Sequence, residues 1–202
     1  MLRAMNVAVR LPSMTQDEFL DWVQRQEGRH EFDGYRPVAM TGGTRNHARI
    51  ILNLGASLLS RLDVGAWEAL VAEGGVATGD GAVRYPDALV AAATGARDDR
   101  LIPGVIAVFD VVSPSSARID RLLKPRDYRS VPSIRRYVIV EQGCIGLTNL
   151  YREPGVADWT ATTLTAEDTL VMPEVGIQLP VRDIYAGTDV PDAEPDGTGS
   201  AA

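Results

Sequence analysis

Two aspartates lie at apolar stretches where an ionised side chain is costly. Asp87 opens the apolar part of YPDALVAAA, and Asp110 lies inside VIAVFDVV. Near-continuous apolar runs of this length are typical of strands covered on both faces of a sheet. A carboxylate there needs a hydrogen-bond donor, a cation or a metal ion as its partner. If the two strands are neighbours, the carboxylates converge and, with backbone carbonyls and water, suit a hard ion such as Mg²⁺ or Mn²⁺.

A purely structural interpretation explains the same two residues. Asp87 can cap a turn after Pro86, and Asp110 can accept hydrogen bonds from the serines of SPSS, which follow its strand. Neither role requires a metal ion. The chemistry of the residues alone therefore leaves both interpretations open.

A basic segment follows the second of these strands. Seven arginines and lysines lie between Arg118 and Arg136, against two acidic residues, Asp120 and Asp127, whereas the whole chain carries a net charge of −7. The negative total argues against a protein that coats nucleic acid without specificity. The basic segment is either a solvated helix face or a surface that contacts phosphates.

The helices that must support these strands have clear signals. Thr15 and Glu18 form a capping-box pattern, and the apolar residues that follow predict an amphipathic helix. A glycine loop precedes a second helix, whose apolar stripe runs from Ile50 to Leu62. His47 lies in the first turn of that helix, where a lone histidine is more often structural than catalytic.

The predicted strands surround these helices. RHEFDGYRPVAM reads as a hairpin that turns at Asp33 and Gly34, and further strands are expected at 88–93, 105–112 and RYVIVEQ. A helical segment over 115–130 is expected to break near Leu123, with Lys124 extended and Pro125 at the first position of the next helix. We expect an N-terminal extension over 1–12, one domain over 13–186 and a disordered acidic tail over 187–202.

Composition bounds the class of protein. The chain has 202 residues, of which 45% are hydrophobic and 23% charged, as in a globular domain. Its single cysteine, Cys144, cannot form an internal disulfide, and no Cys/His group has the spacing of zinc ligands. No signal peptide or membrane-spanning stretch is evident. A cytoplasmic location without membrane association is the expectation.

The order of several motifs resembles a known family. HEFDGYRPVAMTGGTRNH, YPDALV, VFDVVSPSSARIDRLLK and YRSVPSIRRYVIVEQ are similar to successive blocks of the Uma2 family, restriction-endonuclease-like proteins of the PD-(D/E)XK nuclease superfamily. The resemblance covers roughly Thr15 to Tyr185. It implies an α+β fold with an α/β-type core: a central mixed β-sheet flanked by helices, preceded by an N-terminal helix and a β-hairpin.

The resemblance also implies roles for particular residues. Asp87 and Asp110 would hold Mg²⁺ or Mn²⁺, with the backbone carbonyl of Val111 as a further ligand and Glu31 completing the site. The superfamily usually has a lysine two residues after the second acid, a position that is Val112 here. The family pattern implies that Lys124 takes over this role from the following helix and reaches the attacking water from another backbone position.

The activity implied is metal-dependent hydrolysis of phosphodiester bonds, in DNA rather than RNA, by an endonuclease that can act as a homodimer. His47, Arg118, Arg121 and Arg126 are the candidate nucleic-acid contacts. Asp110 stands where the family typically has Glu, and Pro125 follows the displaced lysine. These departures keep a second hypothesis open, a catalytically degenerate member that acts as a binding or assembly module. An RNA-directed nuclease is a third.

Overall fold

The computed structural model describes residues 13–112 and 117–193. Within them the helices are α1 (Gln16–Val23), α2 (Arg45–Arg61), α3 (Ala117–Leu122), α4 (Lys124–Arg129) and α5 (Val181–Ile184). The strands are β1 (His30–Phe32), β2 (Pro37–Ala39), β3 (Trp67–Val71), β4 (Val76–Ala77), β5 (Val83–Arg84), β6 (Ala88–Ala92), β7 (Val105–Val112), β8 (Arg136–Glu141), β9 (Gly146–Tyr151), β10 (Thr160–Thr165), β11 (Thr169–Met172) and β12 (Ile177–Pro180).

A mixed sheet of six strands forms the centre of the domain, in the order β10-β9-β8-β7-β6-β3. Only the central pair, β7 and β8, is parallel among these neighbours; the other pairs are antiparallel. In the β6–β7 pair, Ala88 lies opposite Phe109. Asp87, the residue before β6, therefore comes next to Asp110, as the two apolar runs predict.

Both faces of this sheet are covered, which explains the continuous apolar runs. One face packs on α2 through Ile50, Leu54 and Leu58, together with β11, β12 and α5. The other face packs under the α3–α4 region through Tyr128 and Tyr137. Because side chains alternate along a strand, Asp110 points to this second face. The predicted central mixed sheet flanked by helices is confirmed.

A smaller sheet, in the order β2-β1-β5-β4, lies beside the first. The predicted hairpin is present, with Gly34 at a φ of 88° in its turn. The predicted capping box is also present, since the Thr15 hydroxyl accepts from the Glu18 amide and the Glu18 carboxylate accepts from the Thr15 amide. Helix α1 packs on this sheet through Phe19, which stacks on Phe32 at 5.0 Å between ring centroids. The hairpin brings Glu31 to the central sheet.

The segment around Pro125 differs from the sequence prediction. The expected break near Leu123 is present between α3 and α4, but Lys124 is the first residue of α4 rather than extended. Pro125 occupies the second helical position instead of the first. This is allowed because amides in the first turn have no intrahelical partner, so a missing N–H costs nothing there. The consequence is that Lys124 points inward and is buried.

The C-terminal boundary also differs. The residues from Gly187 to Asp192 were predicted to begin a disordered tail, yet Val190 is buried and the Pro191 carbonyl accepts a 2.7 Å hydrogen bond from the Ile145 amide. Asn46 also donates to Asp189 and Arg182 pairs with Asp192, so several contacts hold this segment against the domain. The rest of the predicted tail, 194–202, and the predicted extension, 1–12, lie outside the described residues.

No helix within residues 13–112 and 117–193 has the length and apolar character needed to cross a membrane.

Candidate active site

The two predicted carboxylates meet where β6 begins and β7 approaches its end. The Val111 amide donates a 2.7 Å hydrogen bond to Oδ2 of Asp87, which ties the two strands together at this point. Asp110 is 3% exposed. Its Oδ2 is buried and has no hydrogen-bond partner among the described residues. A buried carboxylate oxygen without a partner is costly, so this atom is a candidate ligand for a cation.

Lys124 reaches the same point from α4. Its Nζ lies 2.9 Å from Oδ1 of Asp110, 3.0 Å from Oδ1 of Asp120 and 3.4 Å from Oε1 of Glu31. The lysine and its three carboxylates are all buried. One ammonium group therefore compensates charge from three elements: β7, α3 and the hairpin strand β1.

A second buried cation holds the other side of Glu31. Arg84 donates from Nη1 to Oε2 of Glu31 at 3.1 Å and from Nε to Oδ2 of Asp127 at 2.9 Å. The Tyr85 amide donates to Oε1 of Glu31 at 3.2 Å. Glu31 is therefore fixed by three donors, and its position beside Lys124 follows from the packing of β1 against β5.

His47 enters the site from the first turn of α2. Its Nε2 lies 3.6 Å from Oδ2 of Asp87, and its side chain is largely buried. The neighbouring Asp87 carboxylate raises the pKa of His47, burial opposes this, and the nearby Val111 backbone adds to the rise. The Thr44 hydroxyl caps this helix by accepting from the His47 amide, so the position of the imidazole is fixed by the helix start.

The electrostatic balance of the site is negative. Burial raises the pKa of Asp110 to about 7, although the nearby Lys124 lowers it. Burial lowers the pKa of Lys124, but the attraction of Asp110 and its other partners outweighs this and raises it well above its usual value, which favours the ammonium form. The carboxylates in and beside this site outnumber its permanent cations: Glu31, Asp87, Asp110, Asp120 and Asp127 against Arg29, Arg84 and Lys124.

A cleft of about 530 Å³ opens beside this cluster, and Arg84 and Asp127 are not part of its lining. Its walls include the predicted residues Glu31, His47, Asp87, Asp110, Val111 and Lys124, together with Asp120 and the glycine loop before α2. All the predicted acids and the predicted lysine thus face one space. Two adjacent strands, β6 and β7, the hairpin and two helices supply them, as the order of motifs implies.

The predicted arginine contacts are placed elsewhere. Arg121 pairs with Glu141 on the surface and, like the exposed Arg126, is not among the residues that line the cleft. The side chain of Arg118 lies outside the described residues. Much of the basic segment is engaged in ion pairs, including Arg129 with Asp158 and the buried Arg136 with Glu174.

The donor set fits a divalent cation only in part. Within residues 13–112 and 117–193, no three His, Cys, Asp or Glu side chains are grouped to hold a metal ion by themselves. Mg²⁺, however, is commonly held by one or two carboxylates, with waters and substrate phosphates as its remaining ligands. The unpartnered Oδ2 of Asp110, the adjacent Asp87 and the excess of negative charge suit such an ion. Asp87 and Asp110 are the residues that would hold it.

Sequence reasoning missed three members of this cluster: Arg84, Asp120 and Asp127. Asp120 had a detectable signal, because it precedes Lys124 by four residues and would face it on one continuous helix. Arg84 and Asp127 had none, since the pairing joins β5 to α4 across 43 positions of sequence. Only the packing of the smaller sheet against α4 brings them together.

Comparison with known proteins places the chain among proteins of the same architecture. An uncharacterized protein of Synechocystis sp., slr1290, is 28% identical over 185 residues, covering 87% of this chain and 93% of that protein. A second, sll1609, is 25% identical over 170 residues, covering 81% and 94%. The crystal structure of a putative nuclease belonging to DUF820 from Anabaena variabilis superposes with a TM-score of 0.63 at 14% identity, covering 86% of this chain and 98% of that one.

The family assignment rests on the sequence itself. Residues 16–182 match the Uma2 family, described as "Putative restriction endonuclease". The matched range contains all twelve strands that the described residues form, Asp87, Asp110 and the lysine of α4. It agrees with the resemblance in the order of motifs and with the fold shared with the Anabaena nuclease. This chain is a member of the Uma2 family.

Proposed function

We propose that this protein is a metal-dependent endonuclease that hydrolyses phosphodiester bonds in DNA. One observation carries the proposal: Asp87, Asp110 and Lys124 converge on one cleft, and the buried Oδ2 of Asp110 lacks a partner there. The description of the Uma2 family as a restriction endonuclease supports DNA as the substrate.

The reaction is in-line attack of water on phosphorus. The oxygen of water bonds to phosphorus, the bond to the leaving sugar oxygen breaks, and that oxygen takes up a proton. Asp87 and Asp110 would hold a divalent cation, with the Val111 carbonyl as a further candidate ligand. Such a cation would lower the pKa of the attacking water and stabilise the charge that develops on the phosphate.

Lys124 acts as a fixed positive charge in this scheme. Its ammonium lies 2.9 Å from Asp110, within reach of a phosphate or a water held at that carboxylate. Preorganised charge of this kind stabilises a transition state without reorganisation during the reaction. Glu31 and Asp120 hold the ammonium in place from the opposite side.

One observation favours a second candidate function, that of a binding or assembly module. Lys124 already provides a counter-ion to three carboxylates, so the cluster is partly compensated by protein groups alone. A degenerate member that keeps the fold as a binding or assembly module would need no metal ion. The two hypotheses differ in whether Asp87 supports binding of a divalent cation and cleavage.

Asp87→Asn tests the proposal, because an amide oxygen can still accept the hydrogen bond of the Val111 amide. We expect wild type to bind Mn²⁺ in titration calorimetry and to cleave DNA only with Mn²⁺ or Mg²⁺. The variant should lose at least about 100-fold in activity, since even partners of metal ligands cost 10–100-fold.

Asp98→Asn is the matched control. It removes one carboxylate from an exposed loop after the other end of β6, and its binding and cleavage should equal those of wild type. Unchanged cleavage in Asp87→Asn would remove the mechanism. A wild type that neither binds Mn²⁺ nor cleaves would favour the binding module.

A further inference from the structure

A second, smaller cavity opens beside the active-site cleft. It holds about 190 Å³ and is lined by Val23, Arg29, His30, Met40, Glu73 and Tyr85. Arg29, Met40 and Tyr85 also line the cleft, so the two spaces adjoin. Cavities for drug-sized ligands occupy roughly 300–1,000 Å³, so this one suits a single planar ring system.

The walls of this cavity combine apolar and aromatic groups with polar groups at one side. Tyr85, His30, Met40 and Val23 are each partly buried, which leaves part of each side chain available to a ligand. Trp22 supports the His30 ring edge-on, with 4.9 Å between ring centroids. Planar heterocycles bind proteins through such aromatic faces.

Arg29 lies between the cavity and the cleft, since it lines both. Its Nη2 donates to the Ala72 carbonyl, and its Nε lies 3.7 Å from Oε1 of Glu73. Ala72 has a φ of 68°, a left-handed conformation that is unfavourable for a residue with a side chain. Such strain is found mainly where surrounding structure fixes a functional group. The Arg29 guanidinium and the Glu73 carboxylate thus offer donors and an acceptor at the cavity.

Tyr85 connects this cavity directly to the catalytic acids. It precedes Asp87 by two residues, and its amide is bound to Glu31. A phosphate at Asp87 and Asp110 would therefore place the adjacent nucleotide next to the Tyr85 ring.

We propose that this cavity binds an unpaired base of the nucleotide next to the scissile phosphate, stacked on Tyr85 and hydrogen-bonded near Arg29 and Glu73. A base inside a duplex is stacked and paired on both sides, so it cannot enter a cavity without leaving the helix. The inference rests on the proposed function and narrows its substrate class to single-stranded or locally opened DNA.

Binding by fluorescence anisotropy tests the proposal separately from cleavage. The probes are a labelled short oligothymidylate and the same strand with abasic sugars throughout, in buffer with Ca²⁺. Base–aromatic stacking corresponds to about 5- to 150-fold in affinity, so wild type should prefer the strand with bases by a factor in that range. Tyr85→Leu should bind both strands equally, and Tyr85→Phe, which keeps an aromatic face, should retain the preference.

The outcomes separate the two proposals. Equal affinity of wild type for the two strands, or no binding of either, overturns the base site. Metal-dependent cleavage without a base preference leaves the nuclease proposal standing and removes only the base site. A base preference that depends on Tyr85, without cleavage under any divalent cation, supports the base site and contradicts the hydrolytic function. If Tyr85→Leu fails to fold, equal affinity of wild type for the two strands still overturns the base site, and Tyr85→His takes the place of Tyr85→Leu.

Discussion

Lys124→Met is the most informative perturbation of the cluster, because it removes the charge and keeps much of the apolar stem. The variant leaves Glu31, Asp110 and Asp120 buried without the ammonium that lies 2.9–3.4 Å from each. At an effective dielectric constant of about 20, a contact near 3 Å contributes about 5 kcal/mol of gross attraction. Removing the ammonium group from water costs several kcal/mol, which offsets part of the attraction that its three contacts provide together.

The expected net loss is about 3–5 kcal/mol in the free energy of unfolding, the range for a buried ion pair that loses one partner. For a chain of this size, each kcal/mol corresponds to about 2–4 °C in Tm, so the melting temperature should fall by about 6–20 °C. Urea denaturation of metal-free protein gives the free energy, and thermal melts give Tm.

Arg121→Met is the matched control, because it also replaces one long cation in the same region by methionine. Its side chain is 41% exposed and pairs with Glu141 at the surface, so the loss should stay below about 1 kcal/mol. Mn²⁺ should raise the Tm of Lys124→Met more than that of wild type, since an added cation compensates the freed carboxylates. A loss in Lys124→Met no larger than in Arg121→Met would refute the electrostatic account of the cluster.

Four further predictions concern stability. Arg84→Met should cost about 3–5 kcal/mol because two buried carboxylates lose their partner, whereas the exposed Arg129→Met should cost less than about 1 kcal/mol in the same urea titration. Leu54→Ala, at a fully buried position, should cost about 2–5 kcal/mol, and a smaller loss would mean that α2 packs loosely. Ala72→Gly should raise stability by about 0.5–1 kcal/mol by relieving its positive φ; a lower Tm would contradict that strain. Burial raises the pKa of Asp110 to about 7, so its contribution to the free energy of unfolding is complete below the unfolded-state pKa and is lost as pH rises through about 7. In metal-free protein, Asp110→Asn should therefore flatten the decline of stability over this pH range. An unchanged pH profile of stability in the variant would refute this assignment.

The sequence by itself determined the local elements and the identity of the acids. The capping box at Thr15 and Glu18, the hairpin turn at Gly34 and the apolar run of β7 each depend on neighbouring residues, and each was predicted where it occurs. Asp110 was recognisable because a charge inside an apolar run requires a partner wherever the strand lies. Local propensity and periodicity carry such information without knowledge of the fold.

Tertiary structure alone decided which partners these groups have. The antiparallel pairing of β6 with β7 brings Asp87 beside Asp110, and the packing of β1 against β5 places Arg84 between Glu31 and Asp127. These contacts join residues far apart in sequence, so no periodic pattern records them. The backbone conformation of Lys124 was predicted wrongly for the same reason. The residue before a proline is usually extended, but here burial beside three carboxylates and the tolerance of a helix start for proline make it helical.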